Sequence, residues 1–239
     1  MNELVEKARA ALYRQDGRQA LEWADKALEQ DEGCSEAWLI AMQSFQLFPP
    51  IDSYDPQNEV RCARYAIRFA PANEKSRVRR QVYTFLLNKV LEVLERDAQI
   101  LSDGRELVSF YQRISYFNAS GAPDKAREHD APLMQAAEKS FAFCSTLFTA
   151  VPPSAIKRSR TLEKLAEQIA QQWQKTYSFF SMRMGLVRCE MTRESIQAGL
   201  KQYAQYLRPV RHAEEIIRKT VPFNTVGEDQ LAYLRQEKH

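Results

Sequence analysis

Glycine is scarce in this chain, with only 7 among 239 residues. Sheet proteins need many tight turns, and tight turns need glycine. Loops that cradle phosphate need it too, and the sequence has no phosphate-binding loop, no dinucleotide Gly-rich turn and no Gly-flanked nucleophilic serine. Cysteine is equally sparse. The four, at 34, 62, 144 and 189, are too far apart for a Cys-x-x-Cys metal site. Their apolar neighbours, Phe143 beside Cys144 and Val187 near Cys189, predict small buried residues and no disulfide framework. No uninterrupted apolar run approaches about 18 residues, which excludes a simple membrane span. The N-terminal Met1-Asn2-Glu3-Leu4-Val5-Glu6-Lys7 carries no apolar signal core. The expected compartment is therefore the reducing cytoplasm.

What is abundant is helix-forming material: Ala, Leu, Glu, Gln, Lys and Arg. Apolar residues are 44% and charged residues 27% of the chain, an ordinary globular balance. The formal charge is +3, unevenly spread. Residues 1–72 carry 8 Lys and Arg against 12 Asp and Glu, and residues 73–239 carry 26 against 19. The C-terminal region thus reads either as a basic solvated surface or as a face for an acidic protein or nucleic acid.

Helical periodicity runs through the sequence. Leu4, Val5, Ala8, Ala11 and Leu12 share one face, and Asp16-Gly17 breaks the run. Ala20, Leu21, Trp23, Ala24, Ala27 and Leu28 form a second stripe, so residues 3–30 predict an αα-hairpin. Alanines at 8, 20, 24 and 27 let two helix backbones approach closely, with Leu12, Leu21, Trp23 and Leu28 filling the space around them. A second hairpin is predicted over 35–71. Its helices are Ser35 to about Phe48 and a stretch bearing Cys62, Ala63, Ala66, Ile67 and Phe69, joined by the loop Pro49-Pro50-Ile51-Asp52-Ser53-Tyr54-Asp55-Pro56.

The stretch Gly17-Arg18-Gln19-Ala20-Leu21-Glu22-Trp23-Ala24-Asp25-Lys26-Ala27-Leu28-Glu29-Gln30-Asp31 resembles the second helix of a tetratricopeptide repeat. Ser35-Glu36-Ala37-Trp38-Leu39 is similar to the start of a following repeat. Trp38 lies one repeat length, about 34 residues, after Leu4. The second repeat ends at Ala70-Pro71, where the family commonly places proline. Two repeats are fewer than the three usually needed for a self-sufficient stack, so downstream helices are expected to cover the open end. The resemblance covers about 30% of the chain.

The region 73–239 predicts further helices. The first, over 73–101, carries Val78, Val82, Phe85, Leu86, Val90, Val93, Leu94 and Ile100. Ser102-Asp103 with Glu106 reads as a capping box for a helix bearing Leu107, Phe110, Tyr111, Ile114 and Phe117. Others are expected from Pro132 to Ala150, over 155–182, after Thr192 with Ile196, Leu200, Tyr203 and Leu207, around Ile216 and Ile217, and after Gly227. The expectation is an all-α chain of about eleven helices: two tetratricopeptide-like hairpins over 1–72, then an irregular helical bundle over 73–239.

No constellation carries a recognisable chemistry. His129 sits beside Asp130 in a charged stretch, and His239 is the last residue. His212 and Glu215 share a helix face, but a metal site needs three or four ligands. Cys189 with Arg188 and Glu190 reads as a structural thiol, and Glu214-Glu215 as solvated charge. No catalytic residue, cofactor or metal is expected. The basic run Lys157, Arg158 and Arg160 is the candidate contact for an acidic partner or phosphate backbone. Trp173, Tyr177 and Phe180 share one face, as core residues do.

Tetratricopeptide arrays bind peptides or proteins on the surface lined by the first helix of each repeat. The resemblance implies a groove formed by Asn2, Val5, Arg9, Leu12 and Tyr13, with Glu36, Leu39, Gln43 and Gln46. For Leu12 and Leu39, core packing is the alternative, as is a groove filled by the C-terminal helices. Val5 and Arg9 stand where carboxylate-clamp repeats place Lys and Asn. Val5 donates no hydrogen bond, so that clamp is not expected. The implied function is a protein-interaction or scaffold module, with nucleic-acid association through the basic C-terminal helices as the alternative.

Overall fold

The structure, a computed structural model, describes residues 2–48, 55–102, 123–186, 201 and 203–220. Most of these residues are helical, and none is in a strand. The molecule is all-α. Two compact units are distinguished: residues 1–89 with 143–151, and residues 90–142 with 152–239.

The first unit begins with α1 (Asn2–Tyr13), α2 (Gly17–Gln30), α3 (Ser35–Phe45) and α4 (Pro56–Phe69). Each packs against the next, and α1 also touches α3. The alanine stripes explain how. Ala8, Ala11, Ala20, Ala24, Ala27 and Ala37 have no solvent exposure. A methyl at each crossing keeps helix axes close, and Val5, Ile40, Met42 and Val60 fill the remaining space. Local chemistry sets the starts. Asp16 caps α2 by accepting from the Gln19 N–H at 3.0 Å, and Asp55 caps α4 from Gln57 N–H at 2.9 Å. Pro56 opens α4, where a missing N–H costs nothing. Polar and aromatic contacts pin α3 to α4. Ser35 Oγ donates to the Ala66 carbonyl at 2.7 Å, and the rings of Trp38 and Tyr65 lie 4.7 Å apart. The turn that ends α1 passes through Gln15 in the left-handed region, φ 60°.

The long helix α5 (Lys75–Ser102) contributes its residues up to Lys89 to this unit and the rest to the second. Val78, Val82 and Leu86 are buried, as their spacing predicts. The buried Lys89 ammonium donates to the Gln46 carbonyl at 3.0 Å.

In the second unit lie most of α6 (Pro123–Thr149), α7 (Pro153–Lys157), α8 (Arg160–Leu186), a helical run at 203–207 and α9 (Ala213–Thr220). Its core centres on Trp173, 1% exposed, with Ile169, Ala170, Tyr203 and Tyr206. Thr176 Oγ1 ties α8 to α5 through the Leu94 carbonyl at 3.2 Å.

Two boundaries differ from expectation. Helix α6 starts at Pro123, with Pro132 in its interior rather than at its head. Proline gives up one backbone hydrogen bond there. His129, expected in a loop, is helical. The helix expected over 155–182 is two helices, broken at Arg158-Ser159. Ser159 is the reason: its hydroxyl accepts from the Leu162 N–H at 3.4 Å and starts α8 afresh. The loop 49–54, the expected helix with Leu107 to Phe117 and its cap at Asp103, Cys189 with its neighbours, the stretch after Thr192 up to Leu200, and the segment after Gly227 lie outside the described residues.

Cys62 illustrates how the alanine-lined core treats a titratable group. Its side chain is buried on α4. Burial, more than any neighbouring charge, pushes its thiol from 9.0 up to about 12. At pH 8 its alkylation by iodoacetamide is expected to be about a thousandfold slower in the folded protein than after unfolding, one tenfold step per pKa unit. Mass spectrometry of the Cys62 peptide reads this directly, and equal rates before and after unfolding would refute the burial. Because the folded group holds its proton more tightly, the linked stability is complete below the unfolded thiol's range. It declines as pH rises toward about 12.

Candidate partner-binding surfaces

Helices α1 and α3 lie side by side, and Arg9 joins them. Its guanidinium donates to Glu6 Oε1, one turn earlier on α1, at 2.5 Å. It also donates to the Glu36 carboxylate on α3. The hydrogen bond to Glu36, ahead of Glu6, holds the guanidinium above its ordinary range. All three side chains remain half exposed or more. Exposed pairs of this kind contribute about 0–1 kcal/mol. Their main effect is to fix the orientation of Arg9 and cancel its charge.

One turn further along α1, Tyr13 is 90% exposed, the most exposed large hydrophobic side chain among the described residues. Leu12, Leu39 and Gln43 are half-buried. Val5 is only 5% exposed and belongs to the core. Gln46 faces inward to α5: its amide donates to the Phe85 carbonyl at 3.0 Å. The side chain of Asn2 lies outside the described residues. The structure therefore brings Arg9, Tyr13, Leu12, Leu39 and Gln43 to the α1–α3 pair, while Val5 and Gln46 are spent on packing.

The basic run of the second unit sits at the α7–α8 break. Lys157, Arg158 and Arg160 are all exposed. The Lys157 carbonyl accepts from the Arg211 guanidinium at 3.1 Å, and Arg211 is held in turn by Glu163, whose carboxylate takes its backbone N–H at 2.9 Å. Next to the run is a depression of about 590 Å³ lined by both signs of charge: Arg160, Lys164 and Lys219 against Glu163, Glu167 and Glu215. Lys219 pairs with Glu215 and, by that hydrogen bond first, holds its carboxyl below the usual range. His212 and Glu215 both line this depression. Among the described residues no group of three or more His, Cys, Asp or Glu is arranged to hold a metal ion.

One surface was not anticipated. Arg61, Arg64 and Arg68 on α4 are exposed and flank a depression of about 460 Å³ together with Gln57, Asn58 and Tyr65. None of the three makes a hydrogen bond or ion pair among the described residues. Their i, i+3, i+7 spacing was the available signal. Summing charge over 1–72 hid it. Residues 1–55 carry 5 Lys and Arg against 11 Asp and Glu, whereas residues 56–89 carry 8 against 2.

No protein-family model matches the chain, and no curated protein matches it. Among the described residues, no helix is long and apolar enough to cross a membrane.

Proposed function

We propose that this protein is a non-enzymatic interaction or scaffold module of the cytoplasm, built on tetratricopeptide-like hairpins, that binds a protein or peptide on its α1–α3 face. The observation that carries the reading is Tyr13, a large amphipathic ring left 90% exposed one turn along α1 from Arg9, which is paired with Glu36. Tyrosine and arginine are enriched at interaction hot spots because each covers a large area and donates hydrogen bonds. Half-buried Leu12 and Leu39 supply apolar contact beside them, and Gln43 supplies amide donors and acceptors.

Nucleic-acid association through Lys157, Arg158 and Arg160 has weaker support. Glu163 and Glu167 line the adjoining depression and offset the positive potential there.

Pull-downs from native lysate with the wild type and with an Arg9→Glu/Tyr13→Ala variant test the leading reading. The double variant is expected to recover its partner at least about tenfold less well, the effect of losing one hot-spot contact. Equal recovery of the same partners would place the binding site elsewhere.

A further inference from the structure

Exposed arginines are common in the first unit, and exposure alone sets none of them apart: Arg18, Arg79 and Arg80 are exposed just as Arg61, Arg64 and Arg68 are. What distinguishes the α4 three is shape. They line one depression, with Gln57, Asn58, Val60 and Tyr65, and no carboxylate lines it with them. The depression of the second unit, by contrast, sets Glu163, Glu167 and Glu215 among its cations. Helix α4 has a single carboxylate of its own, Glu59, and it is fully buried. Asp55, just ahead of the helix, is used in capping the Gln57 N–H. Toward the depression α4 therefore presents cations and neutral groups only.

Part of the wall is fixed in advance. The Tyr65 ring lies 4.7 Å from that of Trp38 on α3 and 5.8 Å from that of Phe69. Trp38 is anchored in turn, its indole N–H donating to the Glu32 carbonyl at 2.7 Å. The Arg68 guanidinium lies 5.5 Å from the centre of the Phe69 ring, a cation–π contact. Side chains held in place before a ligand arrives lose less freedom on binding it. Arg61 acts on the Asp25 carboxyl of α2, so Arg64 and Arg68 are left the larger share of any anion.

The dimensions select among anions. Arg61 to Arg68 covers about 10 Å of helix at 1.5 Å per residue. A guanidinium takes a carboxylate by two parallel hydrogen bonds. An extended peptide advances about 3.3 Å per residue, so roughly four residues run the length of the three arginines. A single inorganic phosphate is too small to reach all three. A long polyanion fits poorly for the opposite reason: residues 1–55 carry 5 Lys and Arg against 11 Asp and Glu, and a strand continuing past α4 meets that negative charge. The Tyr65 ring, already engaged by Trp38 and Phe69, is also a poor platform for a base.

We infer that the α4 depression is a docking site for a short acidic segment of a partner protein, whose carboxylates pair with Arg61, Arg64 and Arg68. The site lies on α4 rather than on the α1–α3 pair and stands without that reading.

Fluorescence anisotropy of a rhodamine-labelled hexaglutamate peptide titrated with the full chain tests this. The peptide is expected to bind at low salt and to lose affinity as salt rises. Arg64→Gln/Arg68→Gln is expected to weaken binding at least about tenfold, the loss of two ion pairs. Arg79→Gln/Arg80→Gln removes the same charge from α5, away from the depression, and is expected to change affinity less than about twofold. Circular dichroism confirms folding of both. If the α4 double variant fails to fold, Arg64→Gln and Arg68→Gln are each expected to weaken binding about threefold. No binding by the wild type at low salt overturns the inference. Equal losses in the two double variants do so as well, since net charge alone would then govern affinity. So does displacement of the peptide by an equal concentration of inorganic phosphate, or tighter binding of a single-stranded oligonucleotide than of the peptide.

Discussion

Replacing Trp173 with alanine is expected to destabilise the protein by about 3–5 kcal/mol, the range for deleting a large aromatic from a close-packed core. Four rings surround it. Tyr177 and Tyr203 stack on it with centroids 5.0 and 6.1 Å away, while Phe141 and Tyr206 meet it at 5.8 and 6.1 Å. These rings come from α6, α8 and the run at 203–207, so one side chain holds three segments together. Typical domain stability is about 5–15 kcal/mol, which makes this loss a large fraction of the whole. Trp173→Phe separates packing from polar chemistry. The indole N–H is buried with no acceptor among the described residues, so phenylalanine forfeits volume but no hydrogen bond seen there. Its cost is expected to be about 1–2 kcal/mol. Urea unfolding at constant slope measures both. A loss under about 1 kcal/mol for alanine would mean that the ring cluster is not the core of this unit. Burial also settles one role. A side chain with 1% exposure offers no face to an incoming base.

How much of this was legible beforehand depended on whether the deciding interaction was local. The hairpin over 3–30 was readable because its determinants lie within a few residues: alanines at helical spacing, and the Asp16-Gly17 break between the two stripes. The span of α5 was readable for the same reason. Its apolar positions keep period through Val78, Val82, Leu86 and Val90, all buried. Pro132 misled because a proline more often begins a helix than sits inside one, and the residues 123–131 have no apolar stripe to announce a helix ahead of it. Ser159 was passed over because the apolar pattern of 155–182 runs straight through it. The break is a hydroxyl capping decision that hydrophobic periodicity does not register. On the α1–α3 face, Arg9 and Tyr13 were named only through the resemblance, and both are exposed on α1. Val5 keeps the spacing of the buried Ala8 and Ala11, and the resemblance nonetheless assigned it to the groove; the inward turn of Gln46 was not legible, since only its contact with α5 decides it. The opposite signs of α2 and α4 were visible in the residues themselves and lost in the averaging.

Gly17 shows the same distinction inside a single residue, and its replacement should cost more than its place in the sequence suggests. It follows Asp16 and reads as a turn glycine, which would need it for a left-handed backbone. The left-handed residue is instead Gln15. Gly17 is the first residue of α2 in an ordinary helical conformation, buried against the end of α3. A Cβ there would come within 2.9 Å of Leu47 Cβ and 3.0 Å of the Ser44 carbonyl oxygen. Neither is the yielding tip of a long side chain, so α2 and the end of α3 must separate. Overpacking of this kind costs about 1–3 kcal/mol. The opposing gain, reduced freedom of the unfolded chain, is about 0.4–1 kcal/mol. The clash wins, and Gly17→Ala is expected to destabilise by about 1–2 kcal/mol, with Gly17→Val worse because it branches at Cβ. A double-mutant cycle with Leu47→Gly isolates the cause. Removing the Leu47 Cβ should recover part of the alanine penalty, leaving the share that belongs to the Ser44 carbonyl. If Gly17→Ala is neutral, or if the two changes are strictly additive, the close approach of α2 to α3 is not what demands glycine here.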